Sequence, residues 1–148
     1  MNREIILGLN ILLGLALLSF SSNNAVPVEA VMNVSGIRST KGNLIIQIYR
    51  DELSYENEQP YKQLIFIKDQ IESGSTRVKF SIESGVYGFT LVDDENGNGR
   101  IDKNFIGMPK EGFGFSNFFM EKLKKPNFSQ FQIKVNKTKN IGIKVKYL

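Results

Sequence analysis

The sequence "RVKFSIESGVYGFTLVDDENGN", residues 77–98, alternates apolar and polar side chains before it enters a run of acidic residues and asparagines. In its first half, Val78, Phe80 and Ile82 fall on one face of an extended chain. After Ser84 and Gly85 the alternation resumes. This period of two is typical of antiparallel strands with one buried and one solvated face.

The same pattern recurs along the rest of the chain. Several short strands separated by Gly, Asn and Ser turns predict an all-β fold, a single antiparallel β-sandwich, immunoglobulin-like or prealbumin-like, with six to eight strands. We expect a hairpin turn at 39–43 and an exposed loop with a short helix at 51–62. The apolar faces predicted for the other strands are Leu44, Ile46 and Ile48; Tyr87, Phe89 and Leu91; Phe131, Ile133 and Val135; and Ile141, Ile143, Val145 and Tyr147.

The first thirty residues differ from the rest. Arg3 precedes an uncharged, mainly apolar run over 5–20, which a polar stretch and the residues "VPVEA" follow. That order is typical of a secretory signal peptide, and the run is shorter than the roughly 20 residues of a membrane span. We therefore predict a signal peptide at 1–30, cut after Ala30 or alternatively after Ala25. The β-sandwich domain at 31–148 would be secreted or periplasmic, without a stable membrane span.

Composition excludes several classes of function. The chain has no histidine and no cysteine, so thiol nucleophiles, imidazole bases and ordinary zinc sites are excluded. The formal net charge is +4, and the lysines are scattered through the last third of the chain. Such scattering is typical of solvated strand faces, and we expect no nucleic-acid partner.

Residues 94–102 match the spacing of an EF-hand calcium loop. Such loops place oxygen ligands at the first, third and fifth positions, a glycine at the sixth, a backbone carbonyl at the seventh and a further ligand at the ninth. Asp94, Asn96 and Asn98 occupy the first three places, Arg100 offers its carbonyl at the seventh, and Asp102 stands at the ninth. The sequence therefore predicts a calcium site formed by these five residues.

The match ends at the twelfth position, where Phe105 replaces the bidentate glutamate. The missing oxygen would have to come from Asp93, Glu95, Glu111 or a neighbouring loop, and we expect a weak site on a β-domain rather than a true EF-hand. An ion-free turn is the alternative, since Asn-Gly is typical of hairpins and Asp and Asn cap their own backbone. Carboxylates crowded without a cation would, however, repel one another.

The segment "EGFGFSN", residues 111–117, alternates glycine with phenylalanine. Phe113 and Phe115 can point to one side, while the glycines let another segment approach closely. The rings could pack beneath the long loop, or loop 113–119 could form an aromatic platform for a glycan or peptide. Packing is favoured because most aromatic pairs at strand spacing belong to a core.

Four segments together resemble a known family: "DENGNGRID", "FIGMPKEGFGFSN", "KPNFSQFQIKV" and "IGIKVKY". They look like the uncharacterised bacterial family called domain of unknown function 2141, over essentially the whole chain after the signal peptide. The resemblance implies an exported small β-sandwich with no assigned activity. Members often carry a histidine just ahead of the acidic loop, where this chain has Asp93. That difference weakens any site built on imidazole and adds a carboxylate that suits a hard cation.

The expected function is a structural or interaction module with a calcium loop, contacting an unknown protein or glycan at the cell envelope. The alternative is a glycan- or peptide-binding module that uses loop 113–119. A hydrolase using Asp93, Asp94, Asp102 and Glu111 is less favoured, because it needs an acid of raised pKa and no apolar pocket for one is identifiable. We therefore expect no enzymatic activity.

Overall fold

The computed structural model describes residues 26–148, which form eight strands and two short helices. The elements in chain order are β1 (Pro27–Ser35), β2 (Asn43–Tyr49), α1 (Glu52–Glu56), β3 (Lys62–Ile67), β4 (Ser75–Glu83), β5 (Gly85–Asp94), β6 (Gly112–Phe115), α2 (Phe128–Phe131), β7 (Gln132–Val135) and β8 (Lys139–Lys144). The predicted all-β class, the strand number and the short helix at 51–62 are confirmed. The predicted signal peptide lies almost wholly outside the described residues.

The strands form two sheets. The first has the order β4-β1-β8, and the second has the order β3-β2-β5-β6, with β7 also pairing with β5. All pairs are antiparallel except β1 with β8, which are parallel. The predicted sandwich is confirmed with this one parallel pair. None of the helices in residues 26–148 has the length and hydropathy that a membrane span needs.

The main core lies between the sheets and follows the alternation of the sequence. Phe89 and Leu91 of β5 and Ile46 and Ile48 of β2 are fully buried there, with Met32 of β1 opposite them. Each large apolar side chain removed from water contributes about 1.5–3 kcal/mol. The other fully or nearly fully buried members are Ala30, Val34, Leu44, Tyr87, Val135, Ile141 and Ile143.

Strand β6 joins the two sheets at one edge. Phe113 and Lys146 exchange two backbone hydrogen bonds of 3.0 and 2.8 Å. A Cβ on Gly112 would lie 2.4 Å from the ring of Tyr147, and one on Gly114 would lie 2.5 Å from Cγ2 of Ile143. The glycines therefore permit the close approach that the sequence predicted, and Phe113 and Phe115 point away from the core.

A second apolar cluster covers the outer face of the second sheet. It contains Tyr49, Tyr55, Phe113, Phe115, Met120, Phe128 and Phe131. Phe131 was expected to share the inner face of a strand with Val135, and that prediction is wrong. Residues 128–131 form α2, in which the backbone amide of Asn127 donates to Oε1 of Gln130, so Phe131 turns into the outer cluster.

The predicted hairpin at 39–43 is also wrong. Strands β1 and β2 belong to different sheets, so these residues carry the chain from one layer to the other. Gly42 has a positive φ of 76°, and a Cβ there would lie 1.9 Å from the carbonyl oxygen of Asp94. Turn residues mark a reversal of the chain, but they do not say whether it stays in one sheet.

Candidate functional site

The acidic loop begins at the end of β5, where Asp93 and Asp94 are both fully buried. Successive side chains of a strand point to opposite faces. Asp93 continues the inward face of Phe89 and Leu91, whereas Asp94 points outward into the loop. The structure thus separates two carboxylates that the sequence placed in one cluster.

Asp94 organises the turn through backbone amides. Its Oδ1 accepts from the amide of Asn98 at 3.1 Å, and its Oδ2 accepts from the amide of Gly99 at 2.8 Å. Gly97 and Gly99 have positive φ angles of 71° and 81°, a conformation that suits glycine. The loop therefore coils around the first predicted ligand.

The next predicted ligands complete the coil. Oδ1 of Asn96 accepts from the amide of Asn98, and Oδ1 of Asn98 accepts from the amide of Arg100, both at 3.0 Å. Their side-chain amides donate to Oδ2 of Asp102 at 2.6 and 3.0 Å. These bonds hold the pKa of Asp102 below its usual value. The structure thus brings Asp94, Asn96, Asn98 and Asp102 into one hydrogen-bonded loop, with the side chain of Arg100 largely exposed.

Glu111 lies beside this loop and is 5% exposed. Its Oε2 accepts from the amide of Asp102 at 3.1 Å, whereas its Oε1 is buried and has no hydrogen-bond partner within residues 26–148. Burial raises the pKa of this carboxyl, and the charges of Asp94 and Asp102 raise it further. A proton or a cation would therefore be favourable at this carboxylate.

The other two candidates for the missing oxygen face elsewhere. Asp93 is paired with Lys68 and accepts from the hydroxyl of Tyr147 on the inner face of the sheet. Glu95 forms two hydrogen bonds with Arg38, of 3.0 and 2.6 Å. Of the candidates for the missing oxygen, Asp93 is thus turned away from the loop by strand alternation, and Glu95 is paired with Arg38.

As it stands, the loop is closed by hydrogen bonds. Within the described part of the chain, no group of three or more carboxylates is arranged to hold a metal ion. The amides of Asn96 and Asn98 occupy the space beside Asp102 instead. Calcium binding by the predicted residues stays a prediction.

The aromatic motif packs into the outer cluster. Phe113 and Phe115 are buried and make an edge-to-face contact with ring centroids 6.1 Å apart, while Phe119 remains partly exposed beneath Lys144. Ser116 fixes the end of β6, because its hydroxyl donates to the carbonyl of Phe131 at 2.6 Å and accepts from a β5 amide. The packing interpretation agrees with this burial, and the two central rings do not form a surface platform.

Sequence reasoning missed a polar network at one end of the core. Lys68 and Asp93 are fully buried, and the Lys68 ammonium also donates to the carbonyl of Ser39 at 3.2 Å. Tyr147 joins them, and burial together with its hydrogen bond to Asp93 raises the pKa of its hydroxyl. The Arg38 guanidinium lies 4.1 Å from the centre of the Tyr147 ring. No sequence signal links these residues, which are distant along the chain.

A cleft of about 790 Å³ opens on the outer face of the second sheet, beside the loop. Its walls include Tyr49, Thr90, Phe115, Arg100 and Lys125. The Tyr49 hydroxyl is protonated at neutral pH and can donate a hydrogen bond, and burial raises its pKa to about 12. The cleft therefore combines aromatic and neutral hydrogen-bonding groups with charged residues of both signs, since Glu58 and Asp102 also line it.

Comparison with known proteins agrees with the sequence motifs. No curated protein and no solved structure matches the chain. One family model matches residues 32–143, from within β1 to within β8. The chain therefore belongs to the family described as "uncharacterized protein conserved in bacteria (DUF2141)".

Proposed function

We propose that the protein is an exported structural or interaction module in which loop 94–102, completed by Glu111, binds one calcium ion. The observation that carries this proposal is the buried carboxyl of Glu111, whose Oε1 lacks a partner among residues 26–148. An unpaired buried acceptor costs about 1–3 kcal/mol. A cation bound beside Asp102 would remove that cost.

The ligand chemistry suits a hard cation. Oxygen atoms at EF-hand spacing are supplied by Asp94, Asn96, Asn98, the carbonyl of Arg100 and Asp102. Glu111 would replace the glutamate missing from the twelfth position. Calcium would then take the place of the hydrogen bonds that the two asparagine amides make to Asp102.

Export explains why a weak site would be useful. Calcium sites of extracellular modules commonly have dissociation constants of about 0.1–1 mM. The basic start and apolar run of the first thirty residues support a secreted or periplasmic location. A partner at the cell envelope, protein or glycan, then meets the loops at one end of a rigid sandwich.

Catalysis is not part of the proposed function. Glu111 has the raised pKa that a catalytic acid needs. Its side chain is buried, however, and in the described structure it does not line the cleft beside the loop. A cation ligand explains this carboxyl better than an acid that must reach a substrate.

The cleft favours a peptide or glycan as the second candidate function. Oε1 of Gln47 accepts from the hydroxyls of Tyr49 and Thr90, at 3.1 and 3.4 Å, on the cleft floor. Neutral polar groups beside aromatic rings suit an uncharged polar ligand. Screening a glycan and peptide library against the parent and Gln47→Ala would test it, and equal binding of the two would exclude this cleft.

The calcium site is tested by thermal unfolding of the processed protein in chelator and in added calcium. A dissociation constant near 0.1 mM should add about 1.4 kcal/mol at 1 mM calcium. For a domain of this size, that corresponds to a rise in Tm of several degrees.

Three variants make the test specific. Asp94→Ala and Glu111→Gln should lose most of the calcium increment, whatever their own Tm. Glu95→Gln is the matched control, since it removes a neighbouring carboxylate that is paired with Arg38. Equal Tm values of the parent in chelator and in calcium would overturn the proposal and leave the loop as an ion-free turn.

A further inference from the structure

The strongest feature outside the proposed calcium site is a small hairpin at 102–110. The amide of Lys110 donates to the carbonyl of Asp102 at 2.8 Å, and the amide of Asn104 donates to that of Met108 at the same distance. Oδ1 of Asn104 accepts from the amides of Ile106 and Met108 at 3.1 and 2.9 Å. The tip is therefore a hydrogen-bonded turn of defined shape.

The tip of this hydrogen-bonded hairpin exposes apolar side chains to water. Phe105 is 99% exposed and Ile106 is 67% exposed, whereas Phe89 and Phe131 are almost completely buried. Neither tip residue belongs to an apolar cluster of the described structure. Their contacts contribute little to the fold, and contiguous exposed apolar residues mark interaction sites.

Basic residues surround the tip. The segment 103–110, "KNFIGMPK", begins and ends with lysine and contains no acidic residue, whereas Asp102 and Glu111 flank it at the base of the hairpin. Lys103 and Pro109 are opposite each other in the hairpin, and Lys103 remains partly exposed although it pairs with Glu58 at 2.8 Å. Arg100 lies on the same loop with a largely exposed side chain. Exposed apolar side chains next to basic residues complement an anionic membrane, in which negative headgroups cover an apolar interior.

We propose that the hairpin 102–110 docks the protein on an anionic phospholipid surface by inserting Phe105 and Ile106 among the headgroups, while Arg100 and Lys110 contact phosphate. The docking does not require an ion in loop 94–102. The Asp102 carbonyl nevertheless closes the base of the hairpin, so an ion at that residue would further fix the direction of the tip.

The test measures co-sedimentation of the processed protein with phosphatidylcholine vesicles that contain phosphatidylglycerol, and with phosphatidylcholine alone. The processed protein is required because the apolar run of the first thirty residues would itself bind lipid. Chelator and calcium are run in parallel, which separates failure of docking from failure of the calcium site. We expect binding to the anionic vesicles and much weaker binding to the neutral ones.

Matched variants identify the tip. Phe105→Ser combined with Ile106→Ser should lower the partition coefficient about tenfold or more, the equivalent of about 1.4 kcal/mol. Lys110→Gln should lower it about fivefold, the equivalent of about 1 kcal/mol for one cation near the surface. Ile67→Thr is the control, since Ile67 is 75% exposed on β3 and should leave binding unchanged.

A fluorescence measurement tests insertion directly. The chain contains no tryptophan, so Phe105→Trp places a single indole reporter at the tip. Its emission should shift to shorter wavelength on anionic vesicles, and that of Ile67→Trp should not. Absence of vesicle binding in both chelator and calcium, or equal binding by the double serine variant, would overturn the proposal and assign the tip to a protein partner instead.

Discussion

Asp93 and Asp94 are adjacent in sequence, but β5 directs their carboxylates to opposite faces of its sheet. Asp93 closes the inner end of the core with Lys68 and Tyr147, whereas Asp94 organises the outer loop through the amides of Asn98 and Gly99. The acidic stretch therefore serves two separate structural purposes. The inner ion pair of Asp93 and the outer loop around Asp94 can be tested independently by mutation.

Breaking the inner pair should destabilise the protein strongly. Lys68→Met leaves the buried Asp93 without its cation, and such a loss costs about 3–5 kcal/mol. Lys68→Met combined with Asp93→Leu should be more stable than Lys68→Met alone, because no uncompensated charge remains. Urea unfolding of Lys68→Met, of Asp93→Leu and of the double variant provides the free energies of unfolding for this comparison. Additive effects of the single variants would contradict a direct interaction between the two side chains.

The pH dependence of stability should report Glu111. Its pKa in the folded state is raised above the ordinary value of 4.5 by burial. Such a carboxyl stabilises the fold most below its unfolded pKa, and this contribution is lost as the pH rises through the folded pKa. In chelator, the parent should therefore lose stability relative to Glu111→Gln as the pH rises above about 4.5.

At neutral pH, added calcium should instead make the parent more stable than Glu111→Gln, because the ion favours the ionised carboxylate. Denaturant titrations of the two proteins at a series of pH values provide the comparison. A constant difference between parent and Glu111→Gln across the range would contradict the raised pKa.

Gly114→Ala should destabilise the protein by about 1–3 kcal/mol, the usual cost of overpacking. A Cβ there would lie 2.5 Å from Cγ2 of Ile143 and 2.9 Å from the carbonyl oxygen of Lys144. Gly142→Ala is the control, since its Cβ would meet Oδ1 of Asn117 at an ordinary 3.5 Å. Equal Tm values for the two variants would show that β6 can move away from β8.

The start of the processed chain should matter for stability. Strand β1 begins at Pro27, and Ala30 is fully buried while pairing with Phe80 of β4. A chain starting at Val31 loses that pairing and should be less stable than one starting at Val26, by about 2 kcal/mol or more from the lost burial. Under the proposed export, mass measurement of the protein recovered outside the cytoplasm should accordingly identify cleavage after Ala25. A start at Val31 with full stability would contradict this expectation.

Most of the fold could be predicted because strand alternation is a local property. The inward faces of β2, β4, β5 and β8 all follow it. The errors arose where a local signal has two structural outcomes. The turn at 39–43 carries the chain from one sheet to the other. Phe131 is the last residue of α2, and its ring joins the outer cluster.

The acidic loop 94–102 could likewise be predicted in part, where its contacts are local, and not where its partners are distant along the chain. The spacing of Asp94, Asn96, Asn98 and Asp102 was sufficient to predict that they converge, because Asx side chains fold a short loop onto its own amides. Choosing among Asp93, Glu95 and Glu111 required knowledge of which face each one occupies. Lys68, Arg38 and Tyr147 were not predictable partners, since no local pattern relates residues so far apart.

The sequence by itself determined the class of fold, the apolar face of most strands and the course of the acidic loop, because these depend on side-chain period and on contacts within a few residues. Tertiary structure alone decided which strands pair, which carboxylates are neutralised and which apolar side chains remain in water. Those outcomes depend on the packing of segments distant along the chain. The buried Lys68–Asp93 pair and the exposed Phe105–Ile106 tip are both products of that packing.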